Sequence, residues 1–313
     1  MKKPISERGF SLVEMMVSIT IGLMILVALL GVLSGNAKSS KTNERTSELQ
    51  SNGRYALNNL KRELRHAGYR GYTWADQTPP TTAIAVTYPA GSVEECGGAG
   101  NGFVQNIRQG VWGANDSNPF ADDCINDGYL RGDVLVIRRV AAAPSTTLAA
   151  GTFYLRSTYS AGEVFQGTVA PVSFSGVPLA MFGIQEYVYY IGSDDNDTTF
   201  PALRRVSLQA DGSMMDEMVV SGIEHLQVRY GIATTDLNQR YYDANNISGS
   251  YSDTNLTDWS NVNSVRIWLL ARNQKVEAGY IDTNTYVMGD VTYGPTNDGY
   301  RRQIFSSVVQ LRN

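Results

Sequence analysis

Residues 8–35 read RGFSLVEMMVSITIGLMILVALLGVLSG, an apolar run from Phe10 to Leu33 interrupted by one carboxylate, Glu14. Lys2, Lys3 and Arg8 precede it. The run is long enough for a helix of roughly 36 Å, which spans a hydrocarbon layer of about 30 Å. A secretory signal peptide has a shorter core, of about 7 to 15 residues, and ends in an A-x-A-like site. GVLSGNAKSS, residues 31–40, offers no such site, so the helix is expected to be retained in the membrane. An Asp, Lys or Arg at mid-membrane costs about 2.5 to 3.5 kcal/mol, and Glu is comparable. Glu14 therefore calls for a partner.

Charge does not orient this helix. Lys2, Lys3 and Arg8 on one side balance Lys38, Lys41 and Arg45 on the other. Long domains translocate largely regardless of charge. The two cysteines, Cys96 and Cys124, favour a C-terminal part outside the reducing cytosol. The N-terminus is read as inside.

The 313 residues carry a formal charge of −4, which argues against a nucleic-acid partner, since such surfaces need clustered Lys and Arg. His66 and His225 are the only histidines, a shortage that counts against triads and multi-histidine metal sites. Cys96 and Cys124 form neither a zinc pattern nor a CxxC motif. A Cys96–Cys124 bridge would close a loop of about 29 residues, worth roughly 3.5 kcal/mol in the chain-entropy model. Two free thiols are the alternative.

Beyond Ser34 the sequence continues without proline to Gly68. Leu49, Ala56, Leu60, Leu64 and Ala67 recur on one helical face, and Lys38, Lys41, Glu44, Arg45, Glu48, Arg54, Lys61 and Arg62 occupy the other. Gly68 suits a C-cap. A helix from Phe10 to Ala67 would span roughly 87 Å. Its first half is apolar all round, and its second lays a stripe on a globular head. His66, at its end, reads as solvated or dipole-interacting rather than as a ligand. Gly31 and Gly35 match a GxxxG pattern that permits close helix approach, although small residues are common in membrane helices. With Gly22 they could equally be points where the helix unwinds.

From Tyr69 the texture turns to period-two runs. Residues 132–140, 151–157, 185–192, 201–212, 222–233, 262–273 and 303–313 read as strands, which implies a mostly antiparallel sheet packed on the helix. Residues 73–130 are rich in Gly, Asn, Pro and Asp and read as a loop too poor in core residues to hold itself without the bridge. Residues 238–261 form a second polar loop. Its Tyr241, Tyr242, Tyr251 and Trp259 either present a contact surface or pack on the head.

Basic leader, Gly9, Phe10, Glu14 and the apolar helix resemble the class III leader of type IV pilins and pseudopilins. The resemblance implies that a prepilin peptidase cuts after Gly9 and methylates the new terminal Phe10. Glu14 then stands at the fifth mature position and pairs with the terminal amine of a neighbouring subunit. VVSGIEHLQVRYG (219–231), VNSVRIWLLARN (262–273) and the closing RRQIFSSVVQLRN (301–313) resemble the PilW group of minor pilins, as does NGRYALNNLKRELRHAGYRG (52–71). The implied fold is α+β and pilin-like, with a long N-terminal helix packed on a large, mostly antiparallel β-sheet head. The implied divisions are a leader at 1–9, a transmembrane and filament-core helix at 10–34, its amphipathic continuation at 35–68 and an extracytoplasmic head at 69–313.

That group implies a non-catalytic minor pilin that primes pilus assembly with other minor pilins, at the tip, in support of adhesion and twitching motility. Its partners would be those subunits, the major pilin, the prepilin peptidase and inner-membrane lipid. It would pass from the inner membrane, with a periplasmic head, to the extracellular pilus. Removing the leader takes away Lys2, Lys3, Arg8 and Glu7, a net +2, and leaves about −6. The J-type pseudopilin of type II secretion shares the N-terminal signature, and a tip adhesin is compatible with the same features. An anchored enzyme would need a carboxylate pair across a cleft. Asp122/Asp123 and Asp194/Asp195 are adjacent acids that mark turns instead. A calcium loop begun at Asp194 would place Thr199 and Arg205 where an EF-hand needs Gly and Glu. No cofactor or metal is expected.

Overall fold

The computed structural model describes residues 9, 11–73, 96, 106–121, 124–125, 128–172, 175–233, 239–250 and 258–311. The chain divides into two compact units, Met1–Ser47 and Glu48–Asn313. One helix, α1 (Leu12–His66), contributes to both.

In the first unit α1 is apolar on all sides from Leu12 to Leu33. From Leu12 to Leu33 its large side chains are exposed, and an 18-residue window has a mean hydropathy of 2.7. A helix with no apolar core around it and no polar face is built for lipid or for other helices.

In the second unit α1 buries Leu49, Ala56, Leu60 and Leu64, and Ala67 just beyond it, the stripe expected from the spacing, together with Gly53. Gly68 ends the helix at φ 76° and donates its N–H to Arg138 O at 2.8 Å. A side chain there would face the left-handed penalty, and a Cβ on Gly110 would lie 2.6 Å from the Gly68 backbone.

Two antiparallel sheets make the rest of this unit. The first has seven strands: β1 (Val111–Ala114), β2 (Tyr129–Val140), β3 (Phe153–Ser157), β4 (Gly162–Gln166), β5 (Ala180–Ser193), β6 (Pro201–Leu208) and β7 (Met214–Ser221). It forks at β5. The early part of that long strand pairs with β3, the later part with β6, and β2 runs along its other edge. The second sheet orders β8 (Ile223–Ala233), β9 (Gln239–Tyr242), β10 (Val262–Arg272) and β13 (Arg302–Gln310) as β13-β10-β8-β9. A small hairpin of β11 (Tyr286–Met288) and β12 (Val291–Tyr293) stands apart.

The sheets meet at β2 and β8. Gly132 brings its backbone against Leu226, where a Cβ would lie 2.6 Å from the Leu226 oxygen. The adjacent Asp133 carboxylate then accepts N–H bonds from Val228 at 2.7 Å and Asp116 at 3.1 Å. Inside the first sheet Arg138 and Glu186 form a fully buried ion pair at 3.3 Å, and Gln109 Oε1 accepts from Arg138 at 3.1 Å.

Two readings change, and of the two alternatives for Trp259 the structure has the packed one. The head carries two main sheets rather than one. Residues 73–130 are not only a tethered loop, because Ile107, Trp112, Phe120 and Ile125 are buried and Val111–Ala114 form β1 on the flank of β2. Trp259 belongs to the core at 2 % exposure, 4.7 Å from the Tyr230 ring and 6.0 Å from Trp112. It is no contact residue; Tyr241 and Tyr242 are half-buried, and Tyr251 lies outside the described residues. Cys96 and Cys124 are joined as a disulfide, with Cα atoms 5.0 Å apart.

Candidate assembly site

At the start of α1, Gly9 is exposed, while Phe10 and residues 1–8 lie outside the described residues. Glu14 does not hang unpartnered in the apolar run. Its Oε2 accepts the backbone N–H of Ser11 at 3.0 Å. Ser11 immediately precedes the helix and its carbonyl accepts from Met15 at 3.1 Å, so Ser11 and Glu14 occupy the two ends of a capping-box spacing. The first turn of a helix leaves N–H groups without internal partners, and a carboxylate there satisfies one and suits the helix dipole. The signal was present in the sequence as Ser-x-x-Glu before an apolar run, and the sequence reading passed over it. Ser18 and Thr20 turn their hydroxyls back onto the Glu14 and Val17 carbonyls, at 2.7 and 2.8 Å, which makes both acceptable in an apolar helix.

Farther along, three polar contacts and one close approach tie α1 to the sheets within the second unit. Glu63, 3 % exposed, accepts from Arg139 on β2 at 2.7 and 3.1 Å. Asn59 Oδ1 accepts from the Tyr189 hydroxyl of β5 at 3.0 Å, and Asn52 donates to Ser221 O at 3.3 Å. Gly53 lets the Phe305 ring of β13 lie directly against the helix backbone, in space a Cβ would claim. Neither Glu63 nor Gly53 stands out in the sequence, because each is decided by a residue far away in the chain.

The residues weighed for chemistry have structural employment. Asp194 Oδ1 accepts Asn196 N–H at 2.8 Å and Asp197 Oδ1 accepts Thr199 N–H at 3.0 Å, which closes the turn between β5 and β6. Asp195 pairs with Arg204 at 2.5 Å. Asp122 and Asp123 lie outside the described residues. Burial lowers the pKa of His225, whose ring meets the edge of Tyr293 at 5.6 Å, and His66 is exposed. Among the described residues no group of three His, Cys, Asp or Glu is arranged to hold a metal ion.

Buried charge concentrates instead around Arg302 on β13. Its guanidinium reaches Glu224 at 2.5 Å, Asp282 at 3.1 Å and Asp298 at 2.7 Å. Arg302 holds the Asp298 carboxyl down at about 2. The pull on Asp133 is opposite. Burial, helped by the nearby Asp116 and Asp290 carboxylates, pushes it up to about 8 against its two N–H bonds. Both groups fasten strands and turns rather than face a cleft.

Comparison with known proteins agrees with the two ends of the chain. Residues 188–313 match the family described as Type IV Pilus-assembly protein W, PilW. Residues 5–30 match the prokaryotic N-terminal methylation motif. No curated protein matches the chain. Among solved structures, a type IV-like pilin from Thermus thermophilus is similar at 17 % identity over 52 % of this chain and 84 % of that one. The TM-score is 0.25, and a superposition that loose adds nothing to the fold described above. One chain thus carries a methylation motif at its N-terminus and, over residues 188–313, a region similar to the PilW family of type IV pilus-assembly proteins.

Proposed function

We propose that the chain is a minor pilin that primes pilus assembly. Its leader, residues 1–9, is removed by a prepilin peptidase between Gly9 and Phe10. The subunit then waits in the inner membrane by α1, with the head in the periplasm. It leaves in company with other minor pilins and the major pilin, and takes a place at the pilus tip. The head's role is to dock, not to catalyse. The observation that carries this reading is the presence of a methylation motif and a PilW region in one chain, whose N-terminal helix holds Glu14 in its apolar run.

The contact made by Glu14 gives the mechanism its physical form. In the free chain the carboxylate accepts one neutral N–H, from Ser11, a bond worth about 1 kcal/mol net. Cleavage supplies a positive amine on each Phe10. An acid and an amine about 4 Å apart attract by about 4 kcal/mol at an effective dielectric of 20, comparable to the cost of keeping the carboxylate in lipid. A neighbouring subunit's amine is therefore the better partner, and exchanging Ser11 for it would favour association in the correct register.

Glu14→Gln tests this cleanly, because the amide oxygen still accepts from Ser11 while the charge is gone. Cleavage after Gly9 should persist, and the variant should be missing from sheared pili. Wild-type recovery of Glu14→Gln in pili would sink the pairing role. Recovery of the unmodified chain with secretion components instead of pilins would move it to a type II system.

A further inference from the structure

Between Leu49 and His66 α1 carries Arg54, Lys61, Arg62, Arg65 and His66 against one acid, Glu63. That acid is turned inward onto Arg139. The outward face therefore carries cations and no free acid. At 3.6 residues per turn, Arg54, Asn58, Lys61 and Arg65 fall on one stripe about 16 Å long, with Arg62 on its flank. Arg54, Arg62, Arg65 and His66 are exposed and Lys61 is half-buried. Only Arg62 among them has an ion-pair partner within the described residues, Glu63 at 3.1 Å. Lys61 and Arg65 stand one turn apart and repel each other. An open groove of about 210 Å³ lies between Asn58, Lys61, Arg62, Arg65 and His66.

The sign of this face is opposite to that of the chain. Residues 49–66 hold Arg54, Lys61, Arg62 and Arg65 against Glu63, a formal +3, so the rest of a −4 chain is near −7. We propose that the stripe is a docking site for an acidic surface of a neighbouring pilin subunit, whose Asp or Glu side chains enter the groove. This rests on the pilus-assembly reading above and names the surface and the chemistry of the partner. Charge complementarity supports it: carboxylates placed along the stripe relieve the repulsion that the free subunit keeps. A nucleic acid fits less well. Its closely spaced phosphates would have to approach a chain whose overall field is negative, whereas a folded subunit can bring a few carboxylates alone.

Zero-length carbodiimide cross-linking of intact piliated cells tests the contact, since it joins a lysine amine only to a carboxylate it already touches. Mass spectrometry should find Lys61 of the full-length chain joined to an Asp or Glu of another pilin. Lys61→Arg keeps the charge but should remove that link. The pair Arg54→Glu with Arg65→Glu should lower the pilin recovered with the chain by about tenfold or more, because attraction becomes repulsion. The amount of the chain itself and its cleavage at Gly9 should not change. A Lys61 link absent or confined to the chain itself, or unchanged pilin recovery in the double variant, overturns the proposal. So does loss of duplex-DNA retention in the double variant with pilin recovery intact, which would assign the stripe to nucleic acid. If the wild-type chain brings down no pilin at all, the pilus reading falls first and the stripe with it.

Discussion

Glu63 on α1 and Arg139 on β2 form a two-pronged ion pair, with Arg139 Nη2 and Nε at 2.7 and 3.1 Å from one carboxylate oxygen. The side chains are 5 % and 15 % exposed, so the pair is sheltered from water. The helix thereby places its one inward acid opposite a strand residue that reaches out to meet it. Removing one partner of such a pair leaves the other charge desolvated, at about 3 kcal/mol or more. Glu63→Ala is expected to lower the Tm of the full-length chain in detergent by many degrees. Glu63→Leu with Arg139→Met should recover most of the loss, because both charges are then gone. Equal Tm for Glu63→Ala and wild type would show that the pair does not fasten the helix.

The disulfide between Cys96 and Cys124 makes a separate prediction. Cys96 is fully buried, and Phe120 and Ile125 beside Cys124 are buried core residues. Replacing both cysteines by serine removes the restraint on a loop of about 29 residues, worth about 3.5 kcal/mol in the chain-entropy model. Thermal unfolding of the double serine variant should shift down by several degrees. Titration of the wild-type chain with a thiol reagent under denaturing, non-reducing conditions should find no free thiol.

Asp133 gives a pH dependence of defined sign. Its carboxyl is pushed up to about 8 in the fold, against about 3.9 in an unfolded chain. Between those values the folded chain holds a proton that the unfolded chain has lost. The contribution to stability is therefore full below about pH 4 and is lost as pH rises through about 8. Asp298, held at about 2 by Arg302, works the other way: its contribution is present above about pH 4 and is lost as pH falls through 2. Asp133→Asn stays neutral throughout. Its Tm relative to wild type should improve steadily from pH 5 to about 8 and then level off, and a constant difference would contradict the burial of this carboxyl.

Much of the fold was legible because its signals are local. The stripe Leu49, Ala56, Leu60, Leu64 needed only helical spacing, and β2, β5, β8 and β10 announced themselves as long apolar or alternating runs. What escaped is set by distant partners. The strand β7, MMDEMVVS, is half-exposed with no alternation and is a strand because β6 pairs with it. Ile107, Trp112, Phe120 and Ile125 sit among glycines and polar residues without any period, and only the folded sheets give them a core. Gly53 in mid-helix is explained by the Phe305 ring that lies against it. At the candidate assembly site the spacing singles out Gly9 and Glu14, and the Ser-x-x-Glu pattern already carries the Ser11 cap that the first turn displays.

In the proposed pathway Phe10 becomes the first residue of the working subunit, and mass spectrometry of the N-terminal peptide of the chain recovered from sheared pili measures this directly. The expected peptide begins at Phe10, carries one added methyl group on its amine and lacks residues 1–9. A peptide that begins at Met1, or one that begins beyond Ser34, would contradict the account: the first means the leader is never cut, and the second means the apolar helix is discarded.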